Sequence, residues 1–171
     1  NLSSTKNNII LDFNYTASTR LILKQCGLSD EDIDNRLIKV HGEASNNDII
    51  FGVEDNAGIK KEHVFLRKAY NIKYKALNFS ELYDRIKSVA IFGHSLGETD
   101  HTYFNKLFQE SCMYNKFSTN NNKEFWLFYY KENGYHCMMQ QLDSLTHNSL
   151  TSFRQYNRVN FINTDKEKVF I

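Results

Sequence analysis

The chain has 171 residues, of which 41% are hydrophobic and 14% aromatic, and carries 21 basic against 20 acidic side chains. That length and apolar content suit one globular domain with its own core, and the balanced charge speaks against nucleic acid or an anionic membrane as partner. No apolar run is long enough to span a bilayer and no secretory leader is legible, so the expectation is a soluble, cytoplasmic protein. Cys26, Cys112 and Cys137 are odd in number and far apart, without a C-x-x-C pair. We read them as reduced core residues, neither a disulfide frame nor a metal site. The chain opens on Asn1 and enters a strand almost at once, from which we expect the C-terminal part of a longer protein.

Six strands are predicted, at 9–13, 37–40, 49–53, 89–92, 125–130 and 159–162, each a short run of β-branched, aromatic and other apolar residues. The run Val89-Ala90-Ile91-Phe92 reads as a strand covered on both faces. Helical spacing fills most gaps, at 16–25, 60–75, 80–87, 100–114 and 135–145. Gly27 stands where a C′ residue would end the first helix, and Ser80 where an N-cap would start the third. Tyr103, Phe104, Leu107, Phe108 and Cys112 fall on one core-facing stripe of the fourth. The segment 42–48 offers a hairpin between the second and third strands, and 118–123 reads as a polar surface loop. Strands alternating with helices indicate an α/β domain with a mainly parallel sheet.

The unusual polar residues fall where strands end. Asn14-Tyr15-Thr16 follows the first strand, His41-Gly42 the second, Gly52 closes the third, and Gly93-His94-Ser95 follows the fourth. In an open parallel sheet these positions share the carboxyl edge, where ligands bind in a crevice. Each residue also has a plainer use. Asn14 and Thr16 are good helix caps, as is Asp100; His41 alone could be a satisfied structural histidine; His94 and Ser95 could merely shape a turn.

Gly93-His94-Ser95-Leu96-Gly97 also satisfies the G-x-S-x-G pattern of a nucleophile elbow between a strand and a helix. The partners for a serine hydrolase are hard to find. Asp143 and His147 fall four apart on one predicted helix, where they face each other rather than Ser95. Glu98 and Asp100 would set two carboxylates beside a nucleophile whose transition state is itself anionic.

Taken together, Asn14-Tyr15-Thr16, His41-Gly42, Ile49-Ile50-Phe51-Gly52 and the run Ile91-Phe92-Gly93-His94-Ser95-Leu96-Gly97-Glu98-Thr99-Asp100 with Tyr103-Phe104 resemble, in order and spacing, the AbiH family of bacteriophage abortive-infection proteins. The Gly-His-Ser-Leu-Gly-x-x-Asp element with its following Tyr-Phe is the most specific part. Members of that family carry a Gly-Asn-Gly-Phe-Asp element near their start, which this sequence lacks. More distantly, the series is similar to the sirtuin fold, and that resemblance implies a Rossmann-like, three-layer, sirtuin-like architecture that takes NAD. By it, Asn14 and His41 are the catalytic pair, His41 acting as general base on the nicotinamide ribose. Thr16, Gly42, Gly52, Gly93, His94, Ser95 and Asp100 line the dinucleotide, and no metal is implied.

The departures from that pattern are informative. Thr16 stands where the fold has aspartate, Val53 where it has glutamate and His94 where it has threonine, and the four-cysteine zinc module is missing. The first glycine-rich loop lies outside this sequence. These losses argue against deacylation and leave NAD binding or cleavage in phage defence. The competing expectation is a module that senses a nucleotide or phage-derived trigger without turnover.

Overall fold

The computed structural model describes residues 8–50, 52, 57–67, 85–113 and 122–166. The chain divides into two compact units, Asn1–Lys75 and Ala76–Ile171.

In the first unit, β1 (Ile10–Asp12) is followed by helices α1 (Ser18–Gln25) and α2 (Asp30–Asp34) and by β2 (Leu37–Lys39). The two strands pair in parallel, with Ile10 opposite Leu37 and Asp12 opposite Lys39. Helix α1 ends as its sequence predicts. Gly27, at φ 85°, donates to the Lys24 carbonyl, and Leu28 donates to that of Leu23, the paired bonds of a Schellman end. Its start differs from the expectation, because the N-cap position is Ala17 and neither Asn14 nor Thr16 caps the helix.

Helix α2 was not legible as a periodic pattern, since five residues offer only one buried side chain, Ile33. It is held instead by local polar chemistry. The Ser29 hydroxyl accepts from the Asp32 amide, and Asp30, Glu31 and Asp32 occupy the first turn, where carboxylates favour the positive end of the helix dipole. Among the described residues of this unit, Leu23, Ile33, Val40 and Ile50 are the buried apolar ones.

The third predicted strand does not form among the described residues. Ile49, Ile50 and Gly52 are irregular, while Phe51 and Val53 lie outside the description. The cause is the loop before them. Gly42 takes φ 74°, and the Asp48 carboxylate accepts the Glu43 amide at 2.6 Å. Residues 44–46 wind into a short 3-10 turn, and the chain returns so that the Ile50 amide donates to the His41 carbonyl. A compact loop therefore replaces the hairpin. Of the predicted helix at 60–75, a 3-10 helix over Lys61–Leu66 is present and residues 68–75 lie outside the description. The predicted helix at 80–87, including its cap Ser80, falls mostly outside it; Ile86 and Lys87 are irregular.

The second unit carries β3 (Ser88–Ile91), α3 (His101–Ser111), β4 (Glu124–Tyr129), α4 (Lys131–Leu145), α5 (Leu150–Tyr156) and β5 (Arg158–Asn163). Its sheet has the order β3-β4-β5 and every pairing is parallel. The predicted stripe of α3 is buried at Tyr103, Phe104, Leu107 and Phe108. Phe108, Phe125 and Phe153 are fully buried and meet at ring-centroid distances of 4.8–5.6 Å, so α3, β4 and α5 close on one aromatic centre. Lys123, expected on a surface loop, is buried and donates to the Ile86 carbonyl at 2.8 Å. That bond ties the approach to β4 to the approach to β3.

Three further expectations change. β3 is not covered on both faces, because Ala90 and Phe92 are exposed and only Ile91 is buried. Helix α4 begins at Lys131, a turn earlier than predicted, its start masked in the sequence by Asn133 and Gly134, weak helix formers. Helix α5 was missed because it is short and offers a single buried anchor, Phe153. All three cysteines carry free thiols, but Cys26 and Cys137 are exposed rather than in the core; burial raises the pKa of the Cys112 thiol. Among the described residues, no helix is long and apolar enough to cross a membrane.

Candidate functional site

Because β1 and β2 run parallel and in register, their exits emerge side by side. Asp12 is the hinge of that edge. Its carboxylate is buried and bidentate, with Oδ1 accepting the Asn14 amide at 2.9 Å and Oδ2 the Lys39 ammonium at 2.9 Å. Burial pushes the Asp12 pKa upward, but the hydrogen bonds from Lys39, Asn14 and Thr19 and the Lys39 charge outweigh it, leaving a carboxyl below its ordinary value.

The Asn14-Tyr15-Thr16 loop is stitched to the β2 exit through three consecutive carbonyls. Lys39 Nζ donates to those of Asn14 and Thr16, both at 2.6 Å, and the Ala44 amide donates to that of Tyr15 at 2.8 Å. Into this frame projects His41, 6% exposed, its ring edge-on to Phe13 at 5.5 Å and tilted against Tyr15 at 6.0 Å. Glu43 is buried too, accepts the Ser45 hydroxyl, and has Oε2 3.8 Å from Lys39.

The first unit thus brings Asn14, Thr16, His41 and Gly42 to one edge. Gly52 lies in its irregular return and is exposed. The glycine at 42 serves the fold itself, since a Cβ there would lie 2.7 Å from the Asp48 carbonyl carbon. Asp12 and Lys39 were missed as site residues. A signal existed: charges of opposite sign end two apolar runs, each two residues before a predicted site residue, and alternate residues of a strand share a face.

In the second unit, Gly93, His94, Ser95 and Asp100 gather at the β3 exit. Gly93 takes φ 64° with open space where a side chain would stand. The His94 ring is fixed on three sides. Nδ1 accepts the Leu96 amide at 2.9 Å, Nε2 faces Asp100 Oδ2 at 3.4 Å, and the Phe104 ring stands edge-on at 5.3 Å. Leu96 is fully buried although its φ is 55°, and its carbonyl is met by His101 Nε2 at 3.0 Å. Asp100 occupies the N-cap position of α3 without capping it; its carboxylate is turned to His94.

This arrangement bears on Ser95, which is exposed at the loop tip. An amide can only donate, so the neutral His94 ring carries its proton on Nε2, and its lone pair is committed to Leu96. His94 is therefore a brace rather than a base. His147 does not lie on α4 with Asp143, as the spacing suggested. It sits past the helix end at φ 49°, with Nε2 3.0 Å from the Gln109 side-chain nitrogen. Among the described residues there is no group of three or more His, Cys, Asp or Glu that could hold a metal ion.

The fold and these edges define an α/β protein on parallel sheets, with polar motifs at the exits of β1, β2 and β3. The family model described as bacteriophage abortive infection AbiH matches residues 1–130. The chain belongs to that family, which supports a role in abortive infection of phage-attacked cells. No curated protein and no solved structure matches it.

Proposed function

We propose that this chain acts in abortive-infection defence by binding NAD or a related nucleotide, and by cleaving it with His41 as base, on a Rossmann-like, sirtuin-like scaffold. The observation that carries the reading is the meeting of Asn14, Tyr15, Thr16 and His41 at one parallel strand edge. Ligands of open parallel sheets bind at that edge. The residue types suit the task. His41 is an imidazole held among aromatic rings, the side-chain type that most often serves as general base toward a hydroxyl or water. Asn14 is exposed on the loop whose Tyr15 meets the His41 ring, where it can hydrogen-bond a sugar or carboxamide, and Tyr15 offers a partly exposed ring. In cleavage, the bond between nicotinamide nitrogen and ribose breaks, water supplies the new C–O bond, and one proton is released.

The second reading is a sensing module that binds a nucleotide or a phage-derived trigger without turnover. The depth of His41 favours it, because a ring only 6% exposed must be reached by any substrate. Cellular NAD separates the two. Expression of the protein should deplete NAD, and His41→Ala should abolish the depletion. Equal toxicity from both forms with NAD unchanged would select the sensing module.

A further inference from the structure

We propose that Lys39 is the positioning residue of the β1–β2 edge, an inference that rests on the nucleotide reading of that edge. An ammonium has three N–H donors, and Lys39 has three acceptors within 2.9 Å, namely Asp12 Oδ2 and the carbonyls of Asn14 and Thr16. Only one of the three is a carboxylate. A lysine that merely neutralised Asp12 would have no reason to take both carbonyls flanking Tyr15. By doing so it fixes the backbone on either side of that residue.

The consequence is geometric. Asn14 and Thr16 are loop residues with exposed side chains, and such loops explore many conformations unless tied down. Lys39 ties them from the strand that also delivers His41, two residues further on. Tyr15 is thereby set against the His41 ring at 6.0 Å, and the Ala44 amide on the Tyr15 carbonyl completes the hold. Lys39 spends its three N–H donors within the edge itself. It sets the separation at which Asn14, Tyr15 and His41 address one ligand, and small errors in such a separation are costly to binding and turnover.

The test compares Lys39→Met, Lys39→Arg and the double variant Asp12→Asn/Lys39→Met in the full chain. The single methionine variant strands the buried Asp12 carboxylate and is open to simple unfolding; the double variant removes that closest pair together, while Glu43, 3.8 Å from Lys39, keeps its hydrogen bond from Ser45, so the question stays answerable. The readouts are the melting transition, the His41 ring-proton NMR signals with their cross-relaxation to Tyr15, and NAD affinity by calorimetry. In the double variant we expect a cooperative melt, displaced His41 signals, loss of the Tyr15 cross-relaxation and an affinity about a hundredfold weaker. Lys39→Arg should restore the melt but not the His41 signals, because a planar fork cannot converge three donors from one nitrogen. A purely structural lysine would be rescued in both. A folded double variant with wild-type His41 signals overturns the proposal. If the wild-type chain binds no NAD, the nucleotide reading fails, and the His41 signals alone decide the role of Lys39.

Discussion

Asp100 closes the 3-10 turn Glu98–Asp100 and reaches back across it to His94, with Oδ2 3.4 Å from Nε2, while the other nitrogen of that ring holds the Leu96 amide at 2.9 Å. The histidine beside Ser95 is thus spent on bracing its own loop, and His147, the histidine the sequence offered as a base, is engaged with the Gln109 side chain at 3.0 Å. The contact of Asp100 with His94 explains why α3 begins without a side-chain cap.

Ser95 should therefore be an ordinary alcohol. A fluorophosphonate probe, followed by intact mass, is expected to leave the chain unmodified at Ser95. Stoichiometric labelling that disappears in Ser95→Ala would reinstate the serine hydrolase.

Leu96 anchors this loop by burial. Its side chain is fully enclosed while its backbone is left-handed, a conformation that costs a branched residue ~1–2 kcal/mol. Truncation to alanine keeps that strain and removes the compensating burial. Leu96→Ala should lower unfolding stability by about 2–5 kcal/mol in denaturant melts. A loss of only a few tenths would mean that the loop is not held by this side chain.

Two glycines with similar φ should respond differently to alanine. At Gly93 a methyl group enters open space, so the cost is the backbone term alone, ~1–2 kcal/mol. At Gly42 the methyl meets the Asp48 backbone, adding an overpacking term of about 1–3 kcal/mol. Thermal melts of the two variants should rank Gly42→Ala clearly below Gly93→Ala; the reverse order would contradict the close approach of residues 42 and 48.

Asp12 should leave a signature in the acid limb of stability. Its pKa is lowered on folding, so between the folded value and the unfolded value of about 3.9 the unfolded chain binds more protons and stability rises with pH. The stabilisation is complete above that window and is lost as pH falls through the folded value. Asp12→Asn should cost on the order of 1–3 kcal/mol at neutral pH, with the gap between variant and wild type closing as pH falls through the folded value. A gap independent of pH would assign the loss to packing.

The sequence reading recovered what periodicity controls and missed what single contacts control. The stripe of α3, the Gly27 end of α1 and the parallel pairings follow from apolar spacing and a turn residue, properties local enough to read along a line. The short helices α2 and α5 each rest on one buried residue, Ile33 and Phe153, too little to stand out as a period. The lost strand at Ile49 and Ile50 looked convincing because β-branched residues favour strands. What overrides that preference is the Asp48 carboxylate closing onto the Glu43 amide, invisible in composition. At the candidate site the same division holds. His41 and Asn14 stand out by type and place, whereas Lys39 became legible only when its three acceptors were seen to come from one loop.

The family match stops at Tyr130, one residue past the end of β4. Yet β4 is paired along its whole length with β5, from Glu124 opposite Arg158 to Tyr129 opposite Asn163, and Phe125 is covered by Phe153. The stretch recognisable by kinship is therefore shorter than the stretch able to stand as a folded body. A chain cut after Tyr130 would present a bare strand edge and an uncovered aromatic cluster, the features from which intermolecular aggregation starts. Any trimming of this protein for expression must follow the hydrogen bonds of its sheet and not the limits of its ancestry.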